Sequence, residues 1–334
     1  MITCVKPLIR AETYERYTNK KGGISYKVEW LDRTFYDECM KNPKSKDWLN
    51  MKYRRVSAVP CGRCTECKLN YSRNWAVDCM LEKTYYKDNE VWFLTLTYED
   101  EYLPFYEFKS DDGQIFKGIS LRKKDLQDFW KRLRKHYPKS KIKYLAVGEY
   151  GKTTSRPHYH AIVFGVPLDY TKFKWVSTNQ NCDNLWQSEY LNTIWGKGNV
   201  IIGEVTYKSV AYVARYTLKK QKDKDIALDQ RSGRIPPFIV MSQGIGKRYY
   251  QEHQNEMIDY SNITINGMQV PLPTRFMRYL KDINEDVHTT LSRRRKFYAE
   301  QNQIQKDNQT DLSREKQRQK DEYLLNSKFK DIRR

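Results

Sequence analysis

His158 and His160 are the first pair of side chains whose spacing suggests chemistry. They flank Tyr159 at the start of an apolar run, 158–164, that is rich in β-forming residues and predicts a strand. Side chains two positions apart on a strand project from the same face, so both imidazoles could bind one metal ion. Two surface or core histidines without a ligand role would show the same spacing.

Glu149 ends the preceding predicted strand, 141–150, and a turn-rich connection joins it to the histidines. If Gly151 faces Arg156 across this turn, Glu149 lies directly opposite His158, and opposed residues of an antiparallel pair share a face. One carboxylate and two imidazoles suit Mg²⁺ or Mn²⁺, with positions left open for phosphate oxygens. A register slip of one residue would instead leave Glu149 as a strand charge on the other face.

Tyr212 and Tyr216 lie on a helix predicted over 207–220, with Thr206 as its N-cap. Residues four apart share a helix face. A tyrosine hydroxyl can attack a phosphodiester and hold the DNA as a phosphotyrosine ester, while a bound metal polarises the phosphate. Lys219 and Lys220 follow one turn later and would neutralise phosphate charge. Aromatic packing on an amphipathic helix explains an isolated pair of this kind equally well.

Cys61, Cys64 and Cys67 form a C-x₂-C-x₂-C motif. Three thiolates at this spacing could hold Zn²⁺, with Cys4 as a candidate fourth ligand. Three reduced structural cysteines at a helix start are the alternative. The chain has seven cysteines, and its first residues do not form the apolar stretch of a secretory leader, so we expect a reducing, cytoplasmic setting.

The charge balance indicates a polyanionic partner. The chain has 61 Lys and Arg residues against 41 Asp and Glu residues, a formal net charge of +20. Residues 281–334 carry 14 basic and 10 acidic side chains, so most of the surplus belongs to residues 1–280. Nucleic acid is the usual partner of such a surface. The mean hydropathy of −0.87 and the lack of a long apolar run exclude an integral membrane protein built from helices.

The elements that must position these residues predict an α+β fold with an antiparallel sheet and flanking helices. Residues 1–60 are expected to form an irregular arm, 61–280 a catalytic body with a cysteine-rich entry, and 281–334 a charged, basic helical tail. Segments 105–119 and 166–183 are expected to be loops. Helices are predicted at 66–86, 123–137, 184–195 and 207–220, and strands at 91–98, 141–150, 158–164 and 199–205.

Four sequence blocks, taken in order, resemble a known family. They are residues 60–67, residues 93–100, residues 148–151 together with 156–160, and residues 211–216, with a weaker likeness at 241–247. This combination resembles the HUH endonucleases, in which two histidines flank a hydrophobic residue. It is most similar to the replication initiation proteins of microviruses, the small single-stranded DNA phages, and especially to their gokushovirus branch. Tyr159 stands where many HUH proteins carry an aliphatic residue.

The resemblance implies a central sheet of about five antiparallel strands, with a Mg²⁺ or Mn²⁺ site on its face and the tyrosine helix over it. One tyrosine would nick a circular DNA and keep its 5′ end, and the freed 3′-hydroxyl would prime rolling-circle synthesis. The second tyrosine would then attack the regenerated origin and release a sealed circle. Arg156, Lys219 and Lys220 are assigned to DNA binding.

The partners implied are single-stranded and supercoiled circular DNA at a replication origin, together with a host helicase and polymerase in the bacterial cytoplasm. Two other functions stay open on the sequence. One is a non-catalytic basic protein that binds or packages DNA, and the other is a metal hydrolase that uses water as its nucleophile. Neither would form a covalent bond to DNA.

Overall fold

The computed structural model describes residues 7–19, 22–62, 64–111, 113–151, 153–179, 183–219 and 233–307. Contacts divide the chain into two compact units, residues 1–73 and 74–334. The boundary falls after Arg73, inside helix α3 (Thr65–Lys83), whereas the sequence placed the first boundary after residue 60. None of the helices within the described ranges is long and apolar enough to cross a membrane.

The first unit contains a three-stranded antiparallel sheet in the order β2-β1-β3. Its elements before α3 are β1 (Leu8–Thr18), β2 (Ile24–Leu31), α1 (Arg33–Lys41), α2 (Pro43–Lys52) and β3 (Arg55–Val59). Ala11, Cys39, Leu49 and Tyr53 form a small buried cluster between the sheet and the helices. The irregular arm expected over residues 1–60 is therefore wrong for residues 8–59, which form regular structure around their own core.

The second unit is built on a seven-stranded sheet, counted over the described residues, in the order β12-β7-β8-β4-β11-β10-β9. Every neighbouring pair in it is antiparallel. This confirms the α+β class and the antiparallel sheet. The strands are β4 (Val91–Thr97), β7 (Lys143–Tyr150), β8 (Pro157–Phe164), β9 (Lys174–Thr178), β10 (Asn184–Gln187), β11 (Val200–Gly203) and β12 (Phe238–Met241).

Two of the segments predicted as loops contain strands. Residues 105–119 fold as an antiparallel hairpin of β5 (Phe105–Lys109) and β6 (Ile115–Ile119), and β9 lies within 166–183. The helix predicted over 184–195 is two elements, β10 and then α5 (Glu189–Trp195). The backbone of Ser188 is extended, so it separates strand from helix.

Helices cover both faces of the sheet, and each face has its own core. On one face, α4 (Lys123–His136) and α5 pack on alternate residues of the strands. The α4 contacts come from Leu126, Phe129, Trp130 and Leu133, the helical spacing that the sequence predicted. On the other face, Trp75, Ala76 and Cys79 of α3 pack beside α6 (Tyr207–Lys219).

The remaining described elements follow β12. They are α7 (Lys247–Glu252), α8 (Gln254–Tyr260), β13 (Asn262–Ile265), β14 (Met268–Pro271), α9 (Thr274–Ile283) and α10 (Glu285–Asp307). Phe276, Leu280 and Leu291 of the last two helices form a third core with Val77 and Leu81. The helical tail is confirmed as far as Asp307.

Candidate active site

The hairpin of β7 and β8 has the register that the sequence predicted. Glu149 pairs with His158 and Tyr150 with Pro157. The turn is closed by the amide of Gly151, which donates to the carbonyl of Arg156 at 2.9 Å. Because opposed residues share a face, Glu149 and both histidines project toward α6.

Glu149, His158 and His160 converge on one carboxylate oxygen. Glu149 Oε1 lies 2.8 Å from His158 Nε2 and 3.1 Å from His160 Nε2. The carboxylate and the His160 ring are buried, whereas His158 is partly exposed, so the cluster meets solvent at His158. Ligands about 2.1 Å from an octahedral ion lie about 3 Å from their neighbours. The spacing therefore matches adjacent ligands of one small divalent cation.

The hydrogen bonds of the ring Nδ1 atoms favour metal-binding tautomers. His158 Nδ1 lies 3.2 Å from the carbonyl oxygen of Arg156, which can only accept, so Nδ1 carries the proton. His160 Nδ1 lies 2.9 Å from Thr95 Oγ1, a hydroxyl able to accept in the same way. Each Nε2 then presents a lone pair toward Glu149 Oε1, and a cation between the acceptors is needed to make the contact favourable.

Glu149 Oε2 gives an independent test of fit. This oxygen is buried, and no hydrogen-bond donor reaches it among the described residues. Leaving a buried acceptor unpaired costs about 1–3 kcal/mol, and more for a charged group. Burial opposes ionisation of the carboxyl, but its hydrogen bonds to His158 and His160 hold its pKa below the ordinary value. The donor set is therefore a charged, incompletely paired one that Mg²⁺ or Mn²⁺ would complete.

Burial lowers the pKa of His160 against the opposing effect of Glu149, which favours the neutral imidazole that metals bind. Phe93 stacks on the same ring with 5.6 Å between centroids. Sequence reasoning missed both Phe93 and Thr95 as parts of the site. Thr95 pairs directly with His160 across β4 and β8, and its polar side chain in an otherwise apolar strand was the available signal.

Tyr212 lies next to the ligand cluster. Its half-buried ring meets the ring of His160 edge to face, with 5.5 Å between centroids. The helix that carries it is held on the sheet by Val210, Val213 and Ala214, and it begins where the Ser209 amide donates to Thr206 Oγ1. The predicted helix and its N-cap are confirmed.

Three of the predicted site residues fall beyond what can be described. The backbone of Tyr216 and Lys219 belongs to α6, but their side chains lie outside the described part of the chain, and Lys220 lies outside it entirely. Their assignments stay predictions.

Arg156 lies at the end of the β7–β8 turn and is engaged within the protein. Its guanidinium bridges Asp100 and donates to the carbonyl of Tyr98 at 2.8 Å. These contacts connect the turn to the segment after β4. The side chain is still partly exposed, so DNA binding by Arg156 stays a prediction.

Tyr159, between the histidines, points to the opposite face and is fully buried. Its hydroxyl accepts from the amide of Arg122 at 3.0 Å and lies 2.9 Å from the hydroxyl of Tyr98. Burial raises its pKa to about 12. It fills the core position that many HUH proteins give to an aliphatic residue, and it uses its polar end inside that core.

The Cys61, Cys64 and Cys67 cluster is described within the first unit. The three sulfurs lie within 4.8 Å of one another, and Cys4 lies outside the described residues. Three thiolates together suit a soft metal ion.

Comparison with known proteins places the chain in a family. Residues 91–221, which include the ligand cluster and most of α6, match the family model of replication-associated proteins of the ORF2 type. The chain is 36% identical over 219 residues to the replication-associated protein ORF2 of Spiroplasma virus 4, covering 65% of each chain. It is 31% identical over 226 residues to the replication-associated protein VP4 of Bdellovibrio phage phiMH2K, covering 67% of this chain and 68% of that one.

A third relative, the replication-associated protein ORF4 of Chlamydia phage 1, is 31% identical over 232 residues, and the chain covers 53% of its length. No solved structure matches the chain. The extent of the match to these phage proteins shows that the chain belongs to the family of microvirus replication-associated proteins.

Proposed function

We propose that this protein initiates rolling-circle replication of a circular phage genome by nicking and rejoining DNA through a phosphotyrosine intermediate. The observation that carries the proposal is the position of Tyr212 against His160, whose Nε2 shares Glu149 Oε1 with His158. A nucleophile of the right type therefore lies beside a ligand set of the right type. The names of the relatives support a role in replication.

Glu149, His158 and His160 would hold Mg²⁺ or Mn²⁺. The bound ion would polarise the scissile phosphate and stabilise charge on the departing 3′ oxygen. Thr95 would hold His160 in the tautomer that presents Nε2, and the Arg156 carbonyl would do the same for His158. The partly exposed side of His158 is where a phosphate would enter.

Tyr212 would supply the first nucleophile in a transesterification. Its phenolic oxygen forms a bond to phosphorus as the bond from phosphorus to the 3′ oxygen breaks. The phenol loses a proton and the released 3′ oxygen gains one. One diester replaces another, so the reaction needs no nucleotide, and the sequence contains no Gly-x-x-x-x-Gly-Lys-Ser/Thr loop that would bind one.

Tyr216, one turn later on α6, would attack the regenerated origin and release the first strand for sealing. Lys219, Lys220 and Arg156 would contact DNA phosphates. Unwinding and synthesis would come from a host helicase and polymerase, because the proposed chemistry supplies neither. The protein would act in the cytoplasm of the bacterial host.

A covalent-adduct assay tests the proposal directly. Labelled single-stranded fragments that tile the genome encoding this chain are incubated with the protein and Mn²⁺ and separated on a denaturing gel. We expect one fragment to be cut and its 5′ end to migrate with the protein. The paired change Tyr212→Phe with Tyr216→Phe should remove every adduct, while Tyr260→Phe, at an exposed site, should leave it unchanged.

Other outcomes of this assay identify the other functions. Cleavage without an adduct indicates a hydrolase in which water attacks the phosphate. Binding without cleavage, unaffected by His158→Ala or His160→Ala, indicates a DNA-binding or packaging protein. An adduct that survives the double tyrosine change contradicts the assignment of the nucleophile.

A further inference from the structure

The Cys61, Cys64 and Cys67 cluster lies in the connection between β3 and α3 and includes none of the residues used in the proposed chemistry. Cys61 follows β3, and Cys67 lies in the first turn of α3. Cys61 Sγ and Cys67 Sγ are 4.0 Å apart. A disulfide would need about 2.05 Å, so these residues are thiols rather than halves of a disulfide.

The separation of the sulfurs fits one bound ion. Sulfurs about 2.3 Å from a tetrahedral Zn²⁺ lie about 3.8 Å apart, close to the 4.0 Å between Cys61 and Cys67 and within the 4.8 Å that spans all three. In an iron–sulfur cluster each thiolate binds a different iron, which would hold the sulfurs further apart. The spacing therefore favours a single metal ion over a cluster.

The local backbone supports thiolates at this place. The amide of Cys64 donates to Cys61 Sγ at 3.4 Å, and Gly62 turns the chain with a φ of +74°. The first turn of α3, a helix of 19 residues, directs its amide groups and the positive end of its dipole toward the following cysteine. An amide donor and a helix start both stabilise negative sulfur.

We propose that Cys61, Cys64 and Cys67 bind one structural Zn²⁺, with each thiol releasing its proton to solvent on binding. The ion would hold the end of β3 against the start of α3. A fourth ligand completes the tetrahedron. This proposal does not depend on the nicking activity, because it uses none of the residues assigned to it.

Metal content measured on the whole protein tests the site. The protein is expressed with added zinc, dialysed against a weak chelator and assayed by mass spectrometry. We expect about one zinc per chain, lost in the Cys61→Ser, Cys64→Ser double variant. Cys39→Ala, which changes a buried cysteine of the same unit, should keep the zinc, and so should the His158→Ala, His160→Ala double variant.

A second measurement avoids the case in which the cysteine variant fails to fold. Unaltered protein is titrated with a mercurial reagent while a chromophoric chelator reports free zinc. Zinc release in step with modification of three or four thiols is expected, and Co²⁺ in place of Zn²⁺ should give thiolate-to-cobalt absorption. Protein that binds no zinc, zinc that remains after all accessible thiols are blocked, or a cobalt spectrum without thiolate bands would each overturn the proposal.

Discussion

The two faces of β8 treat polar side chains in opposite ways. On one face, the Tyr159 hydroxyl contacts both backbone groups of Arg122 and the hydroxyl of Tyr98, all within 3.0 Å. On the other face, two histidine nitrogens share one oxygen of Glu149, and the second oxygen has no donor among the described residues. One polar group is completed by the protein, and the other is left incomplete.

This difference separates stability from chemistry along a single strand. A buried polar group with partners fixes the packing around it, whereas an incomplete set of buried ligands costs free energy until a cation is bound. Because side chains alternate between faces, neighbouring residues of β8 serve these two purposes without sharing contacts. Substitutions on the two faces should therefore affect different measurements.

The largest effect is expected on the ligand face. His160→Ala removes one of the ligands, so the nicking rate should fall by more than about a hundredfold, the upper range for losing a residue that only orients a ligand. The rate is measured at fixed Mn²⁺ with the cognate fragment. His136→Ala, on the exposed end of α4, is the matched control and should nick normally. An unchanged rate in His160→Ala would show that this face does not hold the metal.

Glu149→Gln should act through metal affinity. The amide keeps the shape of the carboxylate but loses the charge that favours a divalent ion, so the Mn²⁺ concentration for half-maximal nicking should rise about a hundredfold. A titration of nicking rate against Mn²⁺ measures this shift. Glu107→Gln changes an exposed carboxylate paired with Lys117 and should leave the titration unchanged. Equal titrations for both variants would contradict the assignment of Glu149 as a ligand.

Thr95→Val should have a smaller effect of the same kind. It removes the hydroxyl that lies 2.9 Å from His160 Nδ1 and so frees the ring to turn, which should weaken Mn²⁺ binding about tenfold. Thr97→Val on the same strand removes a hydroxyl bonded to the Asn199 carbonyl and serves as the control. If both threonine variants shift the Mn²⁺ titration equally, orientation of His160 is not the cause.

The ligand face was predictable because its geometry is local. The rule that places His158 and His160 on one face needs only the strand, and the position of Glu149 needs only the short turn closed by Gly151 and Arg156. The pairing of Thr95 with His160 joins residues far apart in sequence. No local rule gives that register, so this residue was missed.

The first unit was mispredicted because its strands carry little of the usual pattern. In β1 only Ile9 and Ala11 are buried, and the residues from Tyr14 onward are exposed. The pairing with β2 also shifts between Glu12 and Arg16. Since a sheet so sparsely buried has few alternating apolar positions, its sequence looks like an irregular polar segment.

Tyr159→Phe tests the other face, where we expect the smallest effect on activity. The change removes only the hydroxyl and leaves the amide and carbonyl of Arg122 without this buried partner, which should lower the free energy of unfolding by about 1–3 kcal/mol. Urea denaturation measures this loss, and Tyr102→Phe, at an exposed tyrosine, is the control. Because Tyr159 points away from the ligand cluster, nicking at saturating Mn²⁺ should stay within about twofold of normal, a difference of less than about 1 kcal/mol. A variant that keeps its stability but loses nicking would mean that the two faces of β8 do not act separately.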